Sequence, residues 1–360
     1  MQSELGVTHS SELDRSVRSI ARVSASALTA SEFFEQYQKP GIPVIVTGLL
    51  DTQPDWNLGY LREKLGTFAL PIRRYGRERY KQDKRTWISI GSGTEAQRVP
   101  FIDYAEMLQS GEAREHDVYL VKRSLKDTPL EQNLALLQRV GEKLGLSPIS
   151  NFNLWLGTSG HVTCLHYDPM DGTLMQLHGA KKVVLFPPSQ LYNLYPFPFW
   201  VHLRHGLKMR ASYSQVYPER PDFEAFPRLR QAFQHRYDDV LQQGEVLFIP
   251  AGWWHELTTV GDEDGIVCSV NRFWHIPAVR SLRLWSKWRV HLGSVCAIPH
   301  VLANMVGAIA SGNSQALSQI CRNLAKITHN LDSECARSET LYLRLRLCRA
   351  SLRILSCCSA

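Results

Sequence analysis

A chain of 360 residues, 44% apolar and 21% charged, is long enough for one large core or two and too apolar to be a disordered tract. Its net charge of +7 sits at one end: Val279 onward holds 11 Lys/Arg against 3 Asp/Glu, leaving 30 against 31 elsewhere. The eight cysteines form no CxxC pair and their spacing suggests neither a zinc site nor a disulfide framework, so they read as free thiols in a reducing, cytoplasmic compartment.

Residues 1–15 read as a disordered N-terminus without the apolar core of a secretory signal, and Glu4, Glu12 and Asp14 argue against a transit peptide. Residues 16–150 read as α/β elements. Thr29-Ala30-Ser31-Glu32 is a capping signal for a helix through Phe33, Phe34 and Tyr37 that stops at Lys39-Pro40-Gly41. Pro43 to Thr47 follows as a strand, Trp56 to Leu65 as a helix, and Leu70 to Tyr75 as a strand. Arg77 to Arg85 is charged and reads as a loop. Phe101, Tyr104, Ala105 and Leu108 mark a helix ending near Gly111, Val118 to Val121 a strand, and Leu130 to Gly145 a third helix.

Between 151 and 277 the character changes. Seven short runs rich in apolar or β-branched residues are separated by Gly, Pro or Asp: 153–157, 162–167, 173–178, 182–186, 245–249, 255–260 and 266–273. This predicts a mainly β fold, a double-stranded β-helix of the jelly-roll, cupin-like kind. An aromatic- and proline-rich insertion, 189–242, interrupts it, with one helix expected over Phe226 to His235. Residues 278–360 read as a basic helical region, expected over Leu282–Trp288, Val301–Ala310, Leu317–Ile327 and Leu341–Leu355. The apolar run Val301 to Ala310 falls short of the ~20 residues a membrane span needs, so no transmembrane span is expected.

The chemistry concentrates in Thr163 to Lys181. On a strand, His166 and Asp168 project from one face and Tyr167 from the other. An imidazole and a carboxylate side by side are two-thirds of a facial triad suited to non-haem Fe(II). The run Pro250-Ala251-Gly252-Trp253-Trp254-His255 opens another strand with a histidine. Early and late strands of a jelly roll lie side by side, so His166, Asp168 and His255 can converge. Taken singly, an HxD triplet arises by chance and a histidine after two tryptophans reads as core; the combination carries the signal. Lys181 begins a strand and read alone is a surface lysine. Thr163 falls on the face opposite His166 unless a bulge intervenes.

The run from Thr163 through His166, Asp168 and Gly179-Ala180-Lys181-Lys182 to Leu185-Phe186-Pro187-Pro188 resembles the JmjC/cupin-like Fe(II)/2-oxoglutarate-dependent oxygenases. It is similar to the asparaginyl hydroxylase that inhibits the hypoxia-inducible factor and to the tRNA wybutosine-synthesising hydroxylase. Leu194-Tyr195-Pro196, Gly252 to His255, and Val270-Asn271 before Phe273-Trp274 support the likeness. The resemblance implies that His166, Asp168 and His255 ligate Fe(II) and that Lys181 pairs with the distal carboxylate of 2-oxoglutarate. It implies that Thr163 and Tyr119 hydrogen-bond that carboxylate, and that Asn271 contacts the one near the metal. It also implies a dioxygenase using O2, with 2-oxoglutarate decarboxylated to succinate and CO2 as a C–H bond is hydroxylated. Gly172, Leu174 and Arg272 depart from the family pattern around the pocket.

A protein side chain is the expected substrate. A modified tRNA base is the alternative, motivated by the basic tail, and a non-catalytic metal-binding cupin adaptor a second, motivated by Gly172 and Leu174. A homodimer through 278–360 is expected from relatives. His161, His178, His202 and His205 read as packing rather than ligands. Phe197, Phe199, Trp200 and Tyr213 form either a substrate lip or packing over the barrel mouth, and Arg204, Lys208 and Arg210 lie where an anionic substrate would meet them.

Overall fold

The computed structural model describes residues 17–87, 89, 96–206, 208–261, 265–315, 318 and 320. The expected disorder at 1–15 lies outside them, as do the expected helices at 317–327 and 341–355 apart from 318 and 320. One compact unit runs to Ala297, and the helix Ile298–Ala310 belongs to a second.

Ahead of the barrel run β1 (Arg22–Ser24), β2 (Val44–Thr47), β3 (Ala69–Arg74), β4 (Gln97–Pro100) and β5 (Val118–Ser124). The barrel proper starts with β6 (Asn153–Thr158), β7 (Val162–Tyr167), β8 (Asp171–His178) and β9 (Ala180–Phe186). It closes with β10 (Tyr237–Leu241), β11 (Val246–Ile249), β12 (Trp254–Val260) and β13 (Ile266–Trp274). The strands form a nine-stranded sheet, β1-β2-β11-β8-β13-β6-β5-β3-β4, and a four-stranded sheet, β10-β9-β12-β7. From β6 onward the chain crosses repeatedly between the two sheets, which is the jelly-roll path.

Both faces of the large sheet are apolar, which is why its strands read as short continuous runs. Leu154, Leu156, Met175, Phe248 and Val270 face a core completed by Phe33, Trp56, Phe101, Tyr104 and Leu137 from the helical layer. Each such fully buried side chain contributes roughly 1.5–3 kcal/mol. Leu174, Leu247 and Ile249 face inward and meet Val183 and Leu185 of the small sheet. The helical layer forms where its signals stand. Thr29 and Glu32 make a capping box, Asn57 caps Leu58–Leu65, and Gly145, at φ 65°, ends Leu134–Leu144.

Two expectations are corrected. Arg77 to Arg85, expected as a loop, forms two 3-10 turns, with Arg79 and Lys84 buried. Their cations lie over aromatic rings, Arg79 4.6 Å from the Trp87 centroid and Lys84 3.9 Å from that of Tyr217. The insertion is also less foreign than expected. Its last residues are β10, a barrel edge strand paired with β9; the expected helix shortens to Leu229–Phe233, and a second, unexpected one spans Val201–His205. Asp238 and Asp239 hid that strand; they bind Arg236 and Arg22.

The stretch Trp285–Ala310 is long and apolar enough to cross a membrane by length and composition alone. Its first part, the helix Trp285–Cys296, is fixed to the barrel unit. Arg289 there is buried and donates to the backbone carbonyls of Ala211 and Phe197. The helix beyond it has 13 residues, fewer than the ~20 of a span.

Candidate metal centre and its anion pocket

The structure brings His166, Asp168 and His255 together, with one ligand atom from each within 4.8 Å of the others. His166 on β7 and His255 on β12 are direct cross-strand partners, so both rings leave the small sheet on its inner face. Asp168 follows the end of β7, and its carboxylate Oδ2 lies 3.6 Å from His255 Nε2. The Gly252 N–H donates to the Asp168 carbonyl at 2.8 Å, tying the two ligand-bearing segments. Gly252 is required there: its φ is 82°, and a Cβ would lie 2.5 Å from Ser286 Oγ.

Each imidazole is oriented by its own strand. His166 Nδ1 donates to the Cys164 carbonyl at 2.9 Å and His255 Nδ1 to the Trp253 carbonyl at 3.0 Å. That tautomer, assigned from the hydrogen bonds, leaves both Nε2 lone pairs for a metal. Burial, with His255 adjacent, pushes the His166 pKa down to about 3, so its ring is the neutral ligand form. Tyr213 of the insertion stacks on His166, ring centroids 4.8 Å apart. Two imidazoles and a carboxylate on one side fit non-haem Fe(II) with open positions opposite.

Thr163 reaches the same face through a bulge. His255 pairs with His166 and Leu257 with Thr163, so two steps on β12 match three on β7. The extra residue reverses the alternation, and Thr163 shares the inner face with His166 after all.

Lys181 faces the same interior from β9, opposite Thr259. It is buried at 3% exposure and its Nζ donates to Ser269 Oγ at 2.5 Å and to the Tyr119 hydroxyl at 3.4 Å. Among the described residues it makes no ion pair. Burial lowers its pKa to about 8. Removing an ammonium from water costs several kcal/mol, and with one of the two hydroxyls 3.4 Å away and the pKa lowered, these contacts do not fully offset the burial. A carboxylate would. Both hydroxyl oxygens accept from the ammonium, leaving their own protons to donate to an anion. Burial holds Tyr119 protonated, its pKa well above the usual phenol value.

Asn271 lies on the inner face of β13, opposite Leu174, and its Oδ1 accepts from Trp155 Nε1 at 2.8 Å. Arg272 turns the other way, over the rings of Phe152 and Trp274, so it interrupts nothing. Gly172 leaves space that Phe273 approaches; its ring is 3.6 Å from where a Cβ would stand. The other histidines stay apart. His178 pairs with Asp55 near the surface, His202 is buried on the Gly206 carbonyl, and His161 bonds Asp117. Phe197 is buried beside Cys164 and Met209, whereas Trp200 is 58% exposed. Sequence reasoning missed Ser269 and Trp155. Ser269 had a signal, since it alternates in phase with Asn271.

A model of the cupin-like domain matches residues 30–279. "Lysine-specific demethylase JMJ31" of Arabidopsis thaliana is 25% identical over 283 residues, 69% of this chain and 49% of that protein. "Lysine-specific demethylase 8" of Danio rerio is 27% identical over 249 residues, 66% of this chain and 55% of its own length. "tRNA wybutosine-synthesizing protein 5" of Gallus gallus is 35% identical over 125 residues, 34% of this chain and 33% of that protein. The chain thus spans about half the length of the first two and a third of the last. With the domain match covering most of its residues, the chain belongs to the cupin-like family, among the JmjC oxygenases.

Proposed function

We propose that the protein is an Fe(II)/2-oxoglutarate-dependent dioxygenase that hydroxylates a protein side chain. The observation that carries this reading is Lys181, a buried ammonium whose partners among the described residues are two hydroxyls, facing the same interior as the His166–Asp168–His255 cluster. His166, Asp168 and His255 would hold the iron. Lys181, Tyr119 and Thr163 would hold the distal carboxylate of the 2-oxo acid, and Asn271 the end near the metal. When bound, iron and 2-oxoglutarate supply the oxidation: one atom of O2 goes to a C–H bond of the substrate and the other to succinate, with loss of CO2.

The chain's own part is orientation and exclusion of water. The two carbonyls behind the histidines fix both rings. The apolar interior of Leu174, Val183, Leu185 and Leu247 keeps the reacting centre dry. Asp168, half-exposed, marks the open side where a substrate would enter. The names of the two demethylase relatives favour a protein substrate. Hydroxylating a methyl carbon on nitrogen releases it, so hydroxylation and demethylation share this site.

A second reading, hydroxylation of a modified tRNA base, is favoured by the likeness to the wybutosine-synthesizing protein. The test is succinate formation from 2-oxoglutarate with Fe(II), O2 and ascorbate, with Asp168→Ala as control. Turnover abolished by the substitution is expected. No turnover by wild type with intact metal binding would leave a non-catalytic adaptor. Proteome and tRNA pools treated with wild type or His166→Ala are then compared by mass spectrometry for gain of one oxygen atom. Gain in tRNA alone overturns the protein-substrate reading.

A further inference from the structure

Behind the anion pocket lies a second buried cluster. The His161 imidazole lies flat on the Tyr119 ring, centroids 3.7 Å apart and planes within 6°. His161 Nδ1 bonds Asp117 Oδ1 at 2.9 Å, and the Tyr80 hydroxyl donates to Asp117 Oδ2 at 2.7 Å. His161 is 5% and Asp117 2% exposed. The main chain of His161 is pinned as well, its N–H on Thr259 Oγ1 at 2.8 Å and its carbonyl accepting from the Thr259 N–H at 3.0 Å.

Two further features show how closely the Tyr119 ring is fixed. Gly157 has no side chain because that ring occupies the place: a Cβ would lie 2.2 Å from Tyr119 Cδ2. Asp117 has φ 49°, in the left-handed region where residues other than glycine are uncommon and where functional clamps are often found. What distinguishes Tyr119 is its hydroxyl, on the Lys181 ammonium.

We propose that His161, tethered by Asp117, is a positioning residue that aims the Tyr119 hydroxyl at the carboxylate held by Lys181. It touches neither iron nor 2-oxoglutarate and acts only through Tyr119. This rests on the 2-oxoglutarate reading above. A leucine at 161 keeps the space filled but lets the phenol tilt, and one hydrogen bond to a charged group is lost or misaligned.

The test is calorimetric affinity for 2-oxoglutarate in Mn(II)-loaded protein, which reads binding without turnover. His161→Leu is expected to weaken 2-oxoglutarate about tenfold, the scale of one such hydrogen bond, with Mn(II) affinity unchanged. In a Tyr119→Phe background, His161→Leu should add nothing, because the hydroxyl it aims is gone. Unchanged affinity in His161→Leu, or the same loss with and without the Tyr119 hydroxyl, overturns the proposal. Should the leucine variant not fold, His161→Phe, which keeps a flat ring but drops the Asp117 bond, is judged by the same two criteria. Wild type that binds Mn(II) but no 2-oxoglutarate overturns the functional reading, a result distinct from wild-type binding that His161→Leu leaves intact.

Discussion

Two lysines among the described residues are buried almost completely, and they are buried for different reasons. Lys84, between the 3-10 turns and the insertion, donates to the Val216 carbonyl at 2.7 Å and lies over the Tyr217 ring. Lys181, inside the barrel, has two hydroxyls. Burial lowers both pKa values, yet the surroundings differ in kind. An aromatic face and a carbonyl present negative charge to an ammonium, worth about 2 kcal/mol for the ring when desolvated and about 1.5–3 for the carbonyl. Hydroxyls that accept from the ammonium keep protons to give elsewhere. Lys84 therefore reads as a finished contact and Lys181 as an unfinished one, completed by an anion.

Substitution should separate the two. Lys181→Ala is expected to weaken 2-oxoglutarate by 10²–10³-fold on the order of a buried charge pair. The unliganded protein should lose no stability in Lys181→Met, and should gain some, because a costly buried charge is replaced by an apolar stem. Lys84→Ala should do the reverse. It leaves the Val216 carbonyl unpaired and a cavity under Tyr217, a loss of about 2–4 kcal/mol, with 2-oxoglutarate affinity within about twofold of wild type. Thermal unfolding and calorimetry on the three variants check this. A stability loss in Lys181→Met, or a cosubstrate defect in Lys84→Ala, breaks the distinction.

The same contrast shows what the sequence made legible. The metal cluster was readable because alternation places His166 and Asp168 on one face and because the Gly252 to His255 run is distinctive. Lys181 was readable only through resemblance, since a lysine opening a strand looks like surface. Lys84 was misread for a similar reason: Arg77 to Arg85 is a run of charge, and nothing local tells that Tyr217 will cover it. The strand β10 was missed because Asp238 and Asp239 lower its apolar content, and their partners Arg236 and Arg22 include one far away in sequence. Tertiary partners decided each of these cases.

The pH dependence sharpens the comparison further. Lys181 titrates near 8 in the unliganded protein, below its ordinary 10.5. Between those values the unfolded chain binds the extra proton, so this group's contribution makes the unliganded protein more stable as pH rises from about 8 to 10.5. Binding of a dianion runs the other way. It needs the ammonium, so 2-oxoglutarate affinity should fall by up to about tenfold per pH unit above that pKa. Titration calorimetry of wild type and Lys181→Met across this range checks it: the wild-type slope should vanish in the variant. A slope that persists would belong to another group.

Thr163 gives the smallest effect and the most local test. Regular alternation puts it outside the site, and only the extra residue in β7 brings it to the inner face beside His166. Thr163→Val is nearly isosteric and keeps β-branching, so the strand and the bulge should survive. What it removes is one hydroxyl donor. The expected result is a 2-oxoglutarate affinity weaker by about threefold to tenfold, the worth of a hydrogen bond to a carboxylate that Lys181 already neutralises in part. Mn(II) affinity and thermal unfolding should stay at wild-type values. A change in Mn(II) affinity instead would mean that Thr163 supports the bulge carrying His166 rather than the anion.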